Sequence, residues 1–170
     1  MKANDPRITS QNLDLTSTNT FISDTGSDFL QNMSSFVTGL DAQNKTVIIT
    51  DPYLFPMPQV GGNALYYQKL EQLLLMLNCN RIIYTAQPKC PAEFTCIKAA
   101  LAANGIQLDN KTITIPIHDR YWICLENQNG FFTGTSPNGM SNKLCQISLL
   151  SSDDISVLLS KFRAENLISG

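Results

Sequence analysis

Two short aliphatic runs, KTVIIT at 45–50 and RIIYTA at 81–86, constrain this chain more than any other feature. Each is rich in β-branched residues and too short for a buried helix, so each reads as a buried strand. Between them lies ALYYQKLEQLLLMLN (64–78), apolar on nearly every side and therefore a well-covered helix, with Asn63 as its cap. A second helix, AEFTCIKAALAANG (92–105), follows the second strand and stops at Gly105. Strands that alternate with helices in this way imply an α/β fold, a mixed sheet flanked by helices on both faces.

The flanking segments extend the pattern. In SDFLQNMSSFVTGL (27–40), Phe29, Leu30, Met33, Phe36, Val37 and Leu40 recur at helical spacing behind Ser27 as N-cap. IQLD (106–109) and KTITIPI (111–117) read as strands. YWICLE, NQNG and FFTG (121–134) read as a hairpin turning at Asn129-Gly130. LCQISLL (144–150) is a further strand, and SDDISVLLSKF (152–162) a closing helix with acids at its positive end. Residues 1–20 are polar and read as a flexible N-terminal arm, leaving 21–170 as a single domain.

Composition excludes several function classes. With 43% hydrophobic and 15% charged residues the chain is globular, and a net charge of −2 argues against a protein that coats DNA or an anionic membrane. Neither a signal peptide nor a transmembrane segment is legible, so a cytoplasmic setting is expected. The five cysteines form no CxxC pair and only one histidine is present. Neither a metal site nor a cofactor is expected, and buried free thiols are.

The candidate chemistry gathers in IHDRYWICLENQNGFFTGTSPNG (117–139). His118 follows an apolar run, and Arg120 lies two residues on, pointing the same way in an extended chain. An imidazole beside a guanidinium suits a phosphate, the first as nucleophile or proton donor and the second as an anion clamp. Thr135, Ser136 and Asn138 add hydroxyl and amide groups, and Gly134 and Gly139 let backbone N–H groups approach an oxyanion. On spacing alone, a hydrogen-bonded structural histidine beside a solvated turn is the competing reading. Asp51, at the end of the first strand, is within reach of such a site, but a strand-ending Asp-Pro is usually turn chemistry alone. Gly61-Gly62-Asn63, ahead of a helix, lacks the Lys-Ser/Thr of a phosphate-binding loop.

His118-x-Arg120 followed, after a hairpin, by Gly134-Thr135-Ser136-Pro137-Asn138 resembles the His-x-Lys and Gly-Ser-x-x-Asn motif of the phospholipase D superfamily. The resemblance spans residues 20–165 and implies a phospholipase D-like half-domain. It further implies phosphodiester chemistry in which His118 forms a phosphohistidine, while Arg120, Thr135, Ser136 and Asn138 hold phosphate oxygens. A chain with one motif would complete its site as a two-fold homodimer. Two departures stand out: Arg120 replaces the family's Lys, and Leu125 replaces its acid. These departures resemble the superfamily's non-hydrolytic branch. The leading expectation is a degenerate module that binds a phosphodiester or other anionic partner, nucleic acid or lipid headgroup. An active homodimeric phosphodiesterase or nuclease, and a structural dimerisation domain, are the alternatives.

Overall fold

The structure is a computed structural model that describes residues 20–23, 26–58 and 63–169. The arm read at 1–20 lies outside the described residues except for Thr20, which opens a strand; Gly61 and Gly62 lie outside them too.

In chain order the described elements are β1 (Thr20–Ser23), α1 (Phe29–Gly39), β2 (Thr46–Thr50), α2 (Ala64–Leu75), β3 (Arg81–Tyr84), α3 (Pro91–Ala103) and β4 (Gln107–Asn110). They continue as β5 (Arg120–Cys124), β6 (Asn129–Thr133), α4 (Pro137–Met140), β7 (Cys145–Leu149) and α5 (Ser152–Ala164). The strands form one mixed sheet in the order β1-β7-β6-β5-β2-β3-β4. β2, β3 and β4 run parallel, joined through α2 and α3, and the rest pair antiparallel.

The period of two along the strands divides the core. Val47, Ile49, Ile82, Tyr84, Trp122 and Phe131 face α1, α2 and α3 in the larger cluster. Ile48, Ile83 and Ile123 face the opposite way, against Ile155, Leu159 and Phe162 of α5. Helices thus cover both faces. The central strands are buried on both sides, which is why they read as continuous apolar runs rather than alternating ones.

Local sequence explains the element ends. Asp28, not Ser27, caps α1 by accepting from Leu30 N at 3.1 Å, while Ser27 Oγ accepts from Asn32. Asp28 also pairs with Lys69 of α2 at 2.8 Å, tying the two helices together. Asn63 occupies the N-cap position of α2 without making a side-chain cap bond. Ser151 caps α5 ahead of Asp153 and Asp154, which suit the helix's positive end. Gly105 closes α3 with φ +79, a conformation glycine adopts without steric cost.

Two expectations about strands and turns are corrected. KTITIPI is irregular: Pro116 interrupts it, and Thr114 is held by the Glu165 carboxylate rather than by a ladder. Its alternating isoleucines, Ile113 and Ile117, pack against the α5-side core instead. The hairpin turns at 125–128, with Gln128 at φ +50, and Asn129-Gly130 begins β6. Asn129 donates to the carbonyls of Gly39 and Leu40 at the end of α1. Gly130 is required by packing, since a Cβ there would lie 2.8 Å from the Trp122 carbonyl oxygen and 3.1 Å from Ile123 and Leu150 side-chain carbons. Because the closest atom is backbone, Gly130→Ala should cost about 1–3 kcal/mol, read as a lower urea midpoint at unchanged m-value.

Four cysteines are buried as expected; Cys96, on α3, is exposed.

Candidate phosphate-recognition site

The pairing of β2 with β5 builds the site. Thr50 opposes Tyr121, so the next residues along, Asp51 and Arg120, meet at the carboxyl end of β2. Open α/β sheets place ligands at such strand ends. β6 returns beside β5 with Thr133 opposite Arg120, which delivers the 134–138 turn to the same edge.

Asp51 is the centre of this arrangement. Its carboxylate is fully buried, and Oδ1 accepts from the Ser136 hydroxyl at 2.5 Å and from Tyr53 N at 2.9 Å. Oδ2 is buried without a hydrogen-bond partner among the described residues. Burial pushes the carboxyl up from 3.8 to about 6, against the opposing pull of the Ser136 hydroxyl, the Tyr53 N–H and the Arg120 charge.

The loop after β2 is moored by three phenols. Tyr84 donates to the Asp51 carbonyl at 2.9 Å, Tyr66 to that of Leu54 at 2.7 Å and Tyr67 to that of Pro56 at 2.9 Å. Desolvation holds the Tyr67 and Tyr84 hydroxyls above the ordinary tyrosine range, so they remain neutral donors. Phe55 packs edge-on to Tyr84 and Phe94 beneath the loop.

Arg120 is half-buried. One terminal nitrogen donates to the Gly134 carbonyl at 3.2 Å, and the guanidinium carbon lies 5.6 Å from the Tyr53 ring centroid. Its Nε is buried without a partner, like Asp51 Oδ2. Lys89 lies over the same Tyr53 ring at 3.9 Å, so two cations flank one exposed aromatic at this edge.

The other sequence-predicted residues behave differently. Ser136 is buried with its hydroxyl committed to Asp51. Thr135 and Asn138 are half-buried, and their side chains make no hydrogen bond with described residues. Thr133 Oγ1 donates to the Thr135 carbonyl at 2.7 Å, and Gly139 N to that of Ser136 at 2.8 Å, which fixes the turn. His118 is exposed in the loop before β5 and makes no hydrogen bond or ion pair with a described residue. Ser136 is thus hydrogen-bonded to Asp51 and Arg120 acts on the same carboxylate through its charge, while the imidazole, Thr135 and Asn138 side chains make no hydrogen bond to one another.

The nearby acids do not orient His118. Asp119 accepts from the Tyr121 hydroxyl at 3.1 Å, and Glu126 from Thr46 N at 2.9 Å. Leu125 follows the far end of β5, about 17 Å of extended chain away from Arg120. A carboxylate at position 125 would not reach the imidazole of the same chain. Sequence alone does not single out Asp51, because Ser136 lies 85 residues away; its legible signal is an acid closing a β-branched, buried strand.

No protein-family model matches the sequence, and no curated protein matches it. Among solved structures the fold is similar to Nuc, a phospholipase D family member from Salmonella typhimurium. That match has a TM-score of 0.54 and 14% identity, covering 88% of this chain and 93% of that one. The polyphosphate kinase from Porphyromonas gingivalis matches with a TM-score of 0.56 and 6% identity, over 92% of this chain and 27% of that protein. The fold is accordingly phospholipase D-like.

Proposed function

We propose that this chain is a phospholipase D-like module that recognises a phosphodiester-class anion at the Arg120 edge without cleaving it. The observation that carries the reading is the Arg120 guanidinium, braced by the Gly134 carbonyl and the Tyr53 ring beside a fixed turn. Lys89 adds a second positive charge, and the Asn138 amide and Thr135 hydroxyl have no competing bond among the described residues. Catalysis is disfavoured because no described acceptor fixes the tautomer or orientation of His118, a service on which nucleophilic imidazoles depend.

Binding is tested with a short single-stranded oligonucleotide by fluorescence anisotropy at low salt. Arg120→Ala should weaken binding about 10- to 100-fold, the worth of a hydrogen bond to a charged group. Unchanged affinity would remove the site; absence of binding to any phosphodiester would leave a structural dimerisation domain. A second reading draws on the exposure of His118, which leaves the ring free to meet its copy across a two-fold axis. In that case metal-independent cleavage of a generic phosphodiester would be abolished in His118→Ala; equal background from both proteins excludes it.

A further inference from the structure

A groove of about 470 Å³ lies on the α5 face of the sheet, lined by Thr46 from the amino end of β2, by residues beyond β5 and by the C-terminal part of α5. It shares no lining residue with the Arg120 edge. Ile83, Leu159 and Leu167 form its buried wall, the half-buried Leu125 and Ile168 supply apolar surface beside them, and polar groups make up the larger part of the exposed lining. Its rim is cationic, carrying Arg81, Lys111 and Arg163 and no acidic side chain.

Charge pairing separates these three. Arg81 is neutralised by Asp109, its Nε donating to Oδ2 at 2.7 Å. The Lys111 ammonium donates to the Leu167 carbonyl at 3.2 Å and pairs with no described carboxylate. Arg163 is exposed and pairs with none either. A protein of net charge −2 thus keeps two cations without a described carboxylate partner around one cleft. Helix-end electrostatics favours a cation in the last turn of α5, but Lys161 already supplies one there. Lys111, on a different segment, reaches the Leu167 carbonyl just beyond the same helix end, and its charge still meets no described carboxylate.

We infer that this groove binds a small organic anion of nucleotide size, with its phosphate between Lys111 and Arg163 and its body against Leu125 and Ile168. The volume falls within the roughly 300–1,000 Å³ usual for small-molecule sites, and the largely polar lining suits a charged ligand. An ammonium and a guanidinium on opposite segments suit a phosphate, which accepts both a point charge and a fork. The site is independent of Arg120.

The test is calorimetric titration of the whole chain with adenosine monophosphate, inorganic phosphate and adenosine. The monophosphate is expected to bind saturably and more tightly than either part. Lys111→Gln with Arg163→Gln should weaken it at least about ten-fold while the circular dichroism melt is retained, since both side chains are exposed. Arg120→Ala should leave it unchanged, which separates this site from the phosphodiester edge. No saturable binding of the monophosphate up to about 10 mM, well above the millimolar range of weak ligands, overturns the inference. Adenosine binding as tightly as its monophosphate overturns it too, as does a Lys111/Arg163 variant that binds like wild type.

Discussion

Trp122→Ala is expected to remove about 3–5 kcal/mol of folding stability, the cost of truncating a fully buried aromatic. Against the roughly 5–15 kcal/mol that holds domains folded, that is enough to populate the unfolded chain at physiological temperature. Trp122 lies in the middle strand β5 and stacks on Phe131 of β6, centroids 5.7 Å apart at 15°. Phe131 in turn packs on Phe36 of α1 at 5.5 Å, so removing the indole opens a hole beneath α1 as well as between strands. The indole N–H is buried without a partner among the described residues. Trp122→Phe deletes that uncompensated donor with the extra ring, and should therefore cost clearly less than Trp122→Ala. Urea denaturation of the two variants checks the order; equal losses would mean that the N–H has a partner and the aromatic stack contributes little.

The fold was legible where one physical demand dominates. KTVIIT and RIIYTA are buried on both faces, so nothing but an apolar strand satisfies them, and Gly105 and the 152–154 acids mark helix ends by backbone geometry and dipole alone. Legibility failed where two demands share a residue. Asn129-Gly130 has the composition of a tight turn, yet the asparagine caps the end of α1 and the glycine clears the Trp122 carbonyl. The alternation in KTITIPI comes from isoleucines packing under α5 while the backbone leaves the sheet. β1 escaped notice because its four residues draw their ladder from β7, more than a hundred positions on. The candidate site was legible as a set of residue types around Arg120 and the 134–138 turn. It was not legible as an arrangement, because the buried acid that organises it reaches Ser136 only through the sheet.

That acid gives the second large effect. Asp51 binds its proton more tightly in the native state, near 6, than at the 3.8 of an ordinary aspartate. A raised carboxyl favours folding while protonated and the unfolded chain while ionised. Stability should therefore fall as pH rises from about 4 through 6, by an amount on the order of 3 kcal/mol for a shift of that size. Asp51→Asn keeps an acceptor for the Ser136 hydroxyl and the Tyr53 N–H but carries no charge. It should gain about 1–3 kcal/mol over wild type at pH 8 and almost nothing at pH 4, measured by denaturant midpoint at both values. A variant weakened equally at both would show that the Arg120 charge already satisfies the ionised carboxylate. The same carboxylate opposes any anion held by Arg120, with Tyr84 and Tyr66 contributing neutral hydroxyls nearby and Lys89 the other positive charge. Oligonucleotide affinity should accordingly rise as pH drops through 6, and Asp51→Asn should show the tighter affinity at every pH. Running both in a His118→Ala background removes the imidazole from the comparison, so a pH dependence that persists there and vanishes with Asp51→Asn belongs to the buried acid.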